Sequence, residues 1–328
     1  MNDLVPTKAA RSAVSISGNV VIPPAIAGAG EKAVRRFLEF FAATIRNRTT
    51  REAYYRAACS FFAWLEQRGI GELADIEPMH VSLYIETLQA TAAKPTVKQH
   101  LAAVRMLFDW LVVGQILATN PAHSVRGPKH VVRRGKTPFL TEDQARRLLA
   151  GLDLSTVVGL RDRAVIGMMT YTFARISAVV GMRVEDYYPQ GKRTWVRLQE
   201  KGGKQHEMPV HHKLEVFLDE YIAAAGIGDD DKGPLFRTAV GKTGTLTENA
   251  MHRIDAYRMI RRRTAEAGYK VKLGCHTFRA TGLTAYMEAG GTLENAQAMA
   301  AHESPRTTKL YDRTSDEITL DEVERITI

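Results

Sequence analysis

Cysteine is almost missing: only Cys59 and Cys275 occur, far apart in a chain of 328 residues. Two such residues give neither a disulfide framework nor a zinc-site spacing, so a reducing compartment is the default expectation. No apolar run approaches the about 18 residues that a membrane span needs, so no membrane partner is expected. The early stretch VVIPPAIAGAG is short and broken by Pro23 and Pro24, and reads as a flexible lead-in rather than a signal peptide. His-x-x-x-His and paired carboxylates at ligand spacing are missing too, which argues against a metal site. Gly241-Lys242-Thr243-Gly244-Thr245 lacks the upstream glycine and the preceding buried strand of a nucleotide phosphate loop, so no cofactor is expected. There is no internal repeat.

Acid is the scarcer charge. Lys and Arg number 45 against 36 Asp and Glu, a net charge of +9, which points toward a polyanionic partner such as nucleic acid. Apolar residues at 45% and charged residues at 25% are ordinary for a globular protein with a normal core. The length suits two domains.

Residues 1 to about 30 are rich in Ala, Ser, Gly and Pro, show no period, and read as a flexible N-terminal arm. From Glu31 onward Val34, Phe37, Leu38, Phe41 and Ile45 follow a helical period. Tyr54, Ala58, Phe61 and Leu65 mark a second helix that Gly69 stops, and Pro78 opens a third with Val81, Tyr84, Ile85 and Leu88 inward. Val97, Leu101, Val104, Phe108 and Leu111 mark a fourth, whose opposite face carries Lys98, His100 and Arg105. Residues 31–118 therefore read as a compact four-helix unit.

Asn120-Pro121 ends that unit, because proline restricts the residue before it and cannot continue a helix. A basic linker, 119–137, follows, with Arg126, Lys129, His130, Arg133, Arg134 and Lys136 and no interleaved acid. A solvated loop is the plain explanation; phosphate contact suits the concentration of cations better. The second unit, 138–313, starts with a capping-box pattern at Thr141 and Gln144. Helical patterns cover 142–150 and about 159–171, and another helix starts near Arg175. Thr194–Leu198 and His206–Val210 alternate as strands around a turn at Glu200-Lys201-Gly202-Gly203-Lys204. After the acidic Asp229-Asp230-Asp231 loop the chain is expected to be helical to its end. The whole is mainly α with a small antiparallel β-sheet. On the helix MHRIDAYRMIRRRTAEAG, Arg258, Arg261 and Arg262 lie off the apolar side, a solvated face or a DNA-backbone contact.

The second unit also holds Arg175 beside a hydrophobic helix, Lys201 at the hairpin tip, His276 and Arg279 three apart, and finally His302 and Tyr311. This set suits phosphoryl transfer on a nucleic-acid backbone. Arginines hold non-bridging oxygens where charge builds, lysine or histidine protonates a leaving oxygen, and tyrosine attacks phosphorus to form a covalent ester. A free tyrosine, with a pKa of ~10, is about one part in a thousand phenolate at neutral pH, so dense positive charge or a base must assist it. The chemistry requires no metal and no ATP, since the ester conserves the bond energy. Each residue also has a plain explanation: an ion pair of Arg175 with Glu185 or Asp186, a solvated turn lysine, a core histidine, a packed tyrosine. Lys204, three residues after Lys201, is an alternative general acid.

In order and spacing, Arg175, Lys201, His276-x-x-Arg279, His302 and Tyr311 resemble the signature of the tyrosine recombinases, the phage-integrase family. HTFRATGLTAY and AMAAHESPRTTKLYDR carry the resemblance most specifically, and VKQHLAAVRMLFDWLVVGQILATNPA resembles the last helix and exit of the family's core-binding domain. The resemblance implies a two-domain DNA clamp, a helical core-binding domain plus an α+β catalytic domain. Tyr311 would cleave one strand to a 3′-phosphotyrosyl link and a free 5′-hydroxyl. A homo-tetramer on two DNA duplexes would exchange strands for a mobile element, with an accessory DNA-binding protein as a further partner, in the cytoplasm with the bacterial nucleoid. Arg175 and Arg279 would bind the phosphate, Lys201 act as general acid, His276 transfer a proton, and His302 hydrogen-bond the phosphate. A type IB topoisomerase, a telomere resolvase, or a DNA-binding protein with a vestigial site are the alternatives. The chain departs from the family pattern at Phe173-Ala174-Arg175, where Gly-Leu-Arg is common. Phe173 is expected not to adopt the positive φ that glycine tolerates. It departs again at Ser177-Ala178, where a Ser-Glu pair is common, and at Ala300-Ala301-His302 in place of Leu-Gly-His. The tail, 314–328, is acidic and amphipathic and reads as a contact between protomers.

Overall fold

The computed structural model describes residues 14–16, 20–132, 135–200, 203–241 and 243–312. It forms two compact units, Met1–Val131 and Val132–Ile328. Lys201, Arg133, Arg134 and the tail from Arg313 onward lie outside the described residues.

In the first unit, β1 (Val14–Ile16) pairs antiparallel with β2 (Val20–Ile22). Helices α1 (Pro24–Gly28), α2 (Glu31–Glu39), α3 (Arg48–Glu66), α4 (Pro78–Thr91) and α5 (Lys94–Val113) follow. A π-helical turn, Phe40–Thr44, continues α2 and turns both Phe40 and Phe41 inward. Asn47 starts α3 by accepting the Thr50 N–H at 3.1 Å, which satisfies one of the otherwise unpaired first-turn donors. The apolar stripes meet in one core that holds Phe37, Phe61, Leu65, Val81, Ile85, Leu101, Val104 and Phe108.

The N-terminal boundary differs from the expectation. Ile22, Ala25 and Ile26 are buried in this same core, and the Tyr55 hydroxyl donates to the Val21 carbonyl at 2.9 Å. Pro24 occupies the first helical position, where a missing N–H costs nothing, instead of breaking the segment. A five-residue helix is too short to display a period. The expected linker also differs: Ala122 and Val125 are buried in this core, and Arg105 donates to their carbonyls at 3.2 and 2.6 Å.

The second unit opens with α6 (Glu142–Ala150), α7 (Val157–Tyr171) and α8 (Ile176–Val180). The Thr141–Gln144 capping box is present. Three strands, β3 (Tyr187–Gln190), β4 (Arg193–Glu200) and β5 (Lys204–Pro209), form an antiparallel sheet in that order, with Glu200 opposite Lys204. β3 is an edge strand with Pro189 inside it, which hides it from a pattern search. Next come α9 (His212–Ala225), a two-stranded ribbon of β6 (Arg237–Ala239) and β7 (Leu246–Ala250), then α10 (Arg253–Glu266), α11 (Cys275–Glu288), α12 (Leu293–Met299) and α13 (Pro305–Lys309). The ribbon corrects the expectation of helix throughout this half. Its strands are short and polar, so they show no alternation. No helix among the described residues is long and apolar enough to cross a membrane.

Candidate active site

The end of α7, the start of α8, the first turns of α11 and the α12–α13 corner bring the candidate side chains Arg175, Arg279, His302 and Tyr311 together. Gly282 allows it: a Cβ there would sit 1.9 Å from the Thr170 carbonyl oxygen and 2.9 Å from Phe173 Cε1. The chain then turns sharply at two non-glycine residues with positive φ, Phe173 at 53° and Ala301 at 47°. The expectation that Phe173 would avoid this conformation is therefore overturned. Its ring is buried with Leu283, Met287, Ala296 and Ala300, and packs edge-on against Tyr286. That burial offsets a backbone cost of roughly 1–2 kcal/mol.

Arg279 is 1% exposed. Its Nη1 donates to the Phe173 carbonyl, and its Nη2 to the Ala300 carbonyl at 2.6 Å. Each bond reaches the residue at, or just before, one of the two strained turns. Burial, reinforced by the charge of Arg175, lowers its pKa to about 10, while Glu200 and Tyr311 act in the opposite direction. It remains a cation at neutral pH.

Arg175 caps α8, with its side chain 27% exposed. It is not paired with Glu185 or Asp186, whose partners are Lys232, Arg183 and Arg197. Its partner is Glu200, whose carboxylate accepts from Arg175 Nη1 at 2.5 Å and from the Arg175 backbone N–H at 3.3 Å. Glu200 is a member of this cluster that the sequence reading missed. A signal was present: along β4, Val196, Leu198 and Glu200 share one face, so a carboxylate stands in an apolar register.

His302 is buried, and its Nδ1 hydrogen-bonds the Thr308 hydroxyl at 2.9 Å. Burial, followed by the charges of Arg279, Arg175 and His276, pushes its pKa down to about 3. Its ring stacks on Tyr311 at 5.9 Å with 13° between planes. His276 reaches the surface from the first turn of α11; desolvation of its ring, then Arg279 and Arg175, lower its pKa. Both imidazoles are therefore neutral at pH 7.

Tyr311 is half-buried against the Phe173 cluster, near enough to Arg279 for its oxygen to favour the charged guanidinium. Its backbone is held: its N–H donates to the Thr308 carbonyl at 2.9 Å, and its own carbonyl accepts from the Thr284 hydroxyl at 3.3 Å. The tyrosine thus sits beside the arginine and histidine of its own chain. Lys204 is exposed and lies 3.9 Å from Glu303, on a shallow pocket that His302 also lines.

The charged candidates divide. On the first unit, exposed Lys98, Arg126 and Lys129 rim one groove with Arg105 and His123. Arg105 is partly consumed by its carbonyl bonds, as above. The His100 Nδ1 bonds the Tyr84 hydroxyl at 2.8 Å and burial lowers its pKa, so it supplies packing rather than charge. On α10, Arg258 lies 3.4 Å from Asp255, and Arg262 lies 3.6 Å from buried Asp162. Arg261 is half-buried on the same helix.

Two family profiles match the chain: the phage integrase family over residues 138–317, and the phage integrase N-terminal SAM-like domain over residues 32–116. Tyrosine recombinase XerC of Salmonella typhi is 30% identical over 215 residues, covering 64% of this chain and 66% of that protein. The match thus spans a little under two thirds of that relative. Among solved structures, XerH site-specific recombinase bound to a palindromic difH substrate in a post-cleavage complex is similar at a TM-score of 0.66 and 16% identity, covering 90% of this chain and 87% of that one. A lambda integrase tetramer bound to a Holliday junction is similar at a TM-score of 0.64 and 16% identity, covering 87% and 79%. At these identities the two structures bear on fold alone. The integrase profile spans more than half of the chain and contains every residue that converges on the buried arginine, and on that ground the protein belongs to the phage integrase family, the tyrosine recombinases.

Proposed function

We propose that this chain is a site-specific DNA recombinase of a mobile element, and that Tyr311 cuts and rejoins strands through a 3′-phosphotyrosyl link. The observation that carries the reading is the meeting of Arg175, Arg279, His302 and Tyr311 around one guanidinium-lined site. In the proposed step the Tyr311 oxygen attacks phosphorus and the bond to the 5′ oxygen breaks. The phenolic proton goes to neutral His276, and the leaving oxygen takes a proton from Lys201, or from Lys204 three residues on. Arg175 and Arg279 hold the non-bridging oxygens, where charge accumulates. His302, with Nδ1 committed to Thr308, offers Nε2 to the phosphate. A 5′-hydroxyl from a partner duplex then attacks the link, and the same bonds exchange in reverse.

Double-stranded DNA is the proposed partner, clamped between the helical unit and the catalytic unit. Lys98, Arg126 and Lys129 on the first, and Arg258, Arg261 and Arg262 on the second, are the proposed backbone contacts. Arg133, Arg134 and Lys201 keep the same proposed roles. A four-protomer assembly on two duplexes is part of the same proposal.

The test is a nicked duplex carrying the sequence that the wild-type protein selects from a random pool. Cleavage next to the nick releases a short strand and traps the covalent ester. Wild type should accumulate a protein–DNA adduct and Tyr311→Phe none. Absence of an adduct with wild type would leave a DNA-binding protein with an inactive site. Relaxation of supercoiled DNA that lacks the selected sequence would indicate a topoisomerase instead.

A further inference from the structure

Among the described residues only two carboxylates are buried, Asp162 and Glu200. Asp162 is accounted for in the packing of α7 against α10, where Arg161, Arg262 and Arg263 surround it. Glu200 lies elsewhere. It is 6% exposed, it ends β4, and both its oxygens serve a single residue, Arg175. A buried carboxylate is expensive to desolvate unless it is paired, and such pairs rarely add net stability over an apolar substitute. The grip is also unusual in form. One oxygen holds the backbone N–H and the other holds the guanidinium, so both ends of a long, flexible side chain are fixed at once.

Helix α8 offers no acid of its own. Its sequence is Ile-Ser-Ala-Val-Val, and buried Ala178 stands three residues after Arg175, a spacing that places the two on one side of the helix. We propose that Glu200 is the positioning residue for Arg175, supplying from the end of β4 the carboxylate that position 178 lacks. The proposal rests on the reading of Arg175 as a phosphate ligand. It has a second consequence. Glu200 ends β4, so one carboxylate ties the β4–β5 hairpin to the helix that Arg175 caps. The local charge count fits: two arginines, one carboxylate and one phosphodiester sum to zero before charge builds in the reaction.

The experiment measures single-turnover adduct formation by full-length protein on the nicked duplex described above, alongside DNA affinity and thermal melting. Glu200→Ala should slow adduct formation about a hundredfold, the scale of a misplaced catalytic group, and leave DNA affinity within about twofold, since other phosphate contacts carry binding. Adding Ala178→Glu to Glu200→Ala should recover at least about tenfold of the rate, by the same positioning scale. A residue that only fills space would not be rescued from a different helix. Glu200→Gln, which keeps the shape and loses the charge, carries the test if Glu200→Ala does not fold, and should also be slow. A wild-type rate in Glu200→Ala or Glu200→Gln, or no rescue by Ala178→Glu in a folded double variant, overturns the proposal. No adduct even with wild type sinks the recombinase reading itself, a result distinct from both.

Discussion

His302 is neutral before any phosphate arrives, and that fixes the sign of a pH effect. Its folded pKa is pushed down to about 3, whereas the unfolded imidazole titrates near ~6.5. The stabilising difference is complete above that unfolded value. As pH falls toward 3, the unfolded chain binds a proton that the folded chain refuses, so stability declines, by at most about 1.4 kcal/mol per pH unit. Urea unfolding at pH 7 and pH 5 should show the decline, and His302→Gln should reduce it; equal slopes in the two proteins would remove His302 from the account. At this scale the sequence was informative about chemical type. Arg175, Arg279, His302 and Tyr311 stood out because few other residues offered phosphoryl-transfer chemistry at all. Glu200 was hidden because its partner lies 25 residues away and is met only where α8 packs against β4. The conformation of Phe173 was misjudged because the compensating burial against Leu283 and Tyr286 is tertiary.

Helices α3, α4 and α5 were legible because each presents several turns of regular apolar spacing. The five-residue α1 and the strands β3, β6 and β7 were not, being too short or too polar for a period to show. Helix α11 illustrates what spacing leaves out. Its Gly282 is invisible to periodicity, yet it sets how closely α11 approaches the end of α7. Gly282→Ala places a methyl group against a backbone oxygen that cannot swing away. The expected cost is about 1–3 kcal/mol, the usual range for overpacking, read as a lowered melting temperature. Because Arg279 and Phe173 lie on the two elements being pushed apart, the rate of adduct formation should fall as well. A variant with unchanged melting and unchanged rate would show that the contact relaxes freely.

The first unit has a core of its own, separate from the clusters of the second, which implies that it can be studied alone. A fragment of residues 20–131 should unfold cooperatively in urea. One that starts at 31 loses Ile22 and Ile26, both 0% exposed, and each is worth roughly 1.5–3 kcal/mol of burial. Its urea midpoint should therefore be much lower; matching midpoints would exclude residues 20–30 from the fold. The unit boundary was misplaced in the sequence for a related reason: composition marks a segment as loop-like without revealing which of its few apolar residues find a core. Arg279 carries a different lesson about how such a protein can vary. Its two clamps, at Phe173 and Ala300, are carbonyl oxygens, which every amino acid possesses. The anchor is written in the path of the main chain rather than in the alphabet of side chains. Spelling at positions 173, 300 and 301 can drift from the family's habits while the guanidinium stays where it is, provided that the path itself is kept.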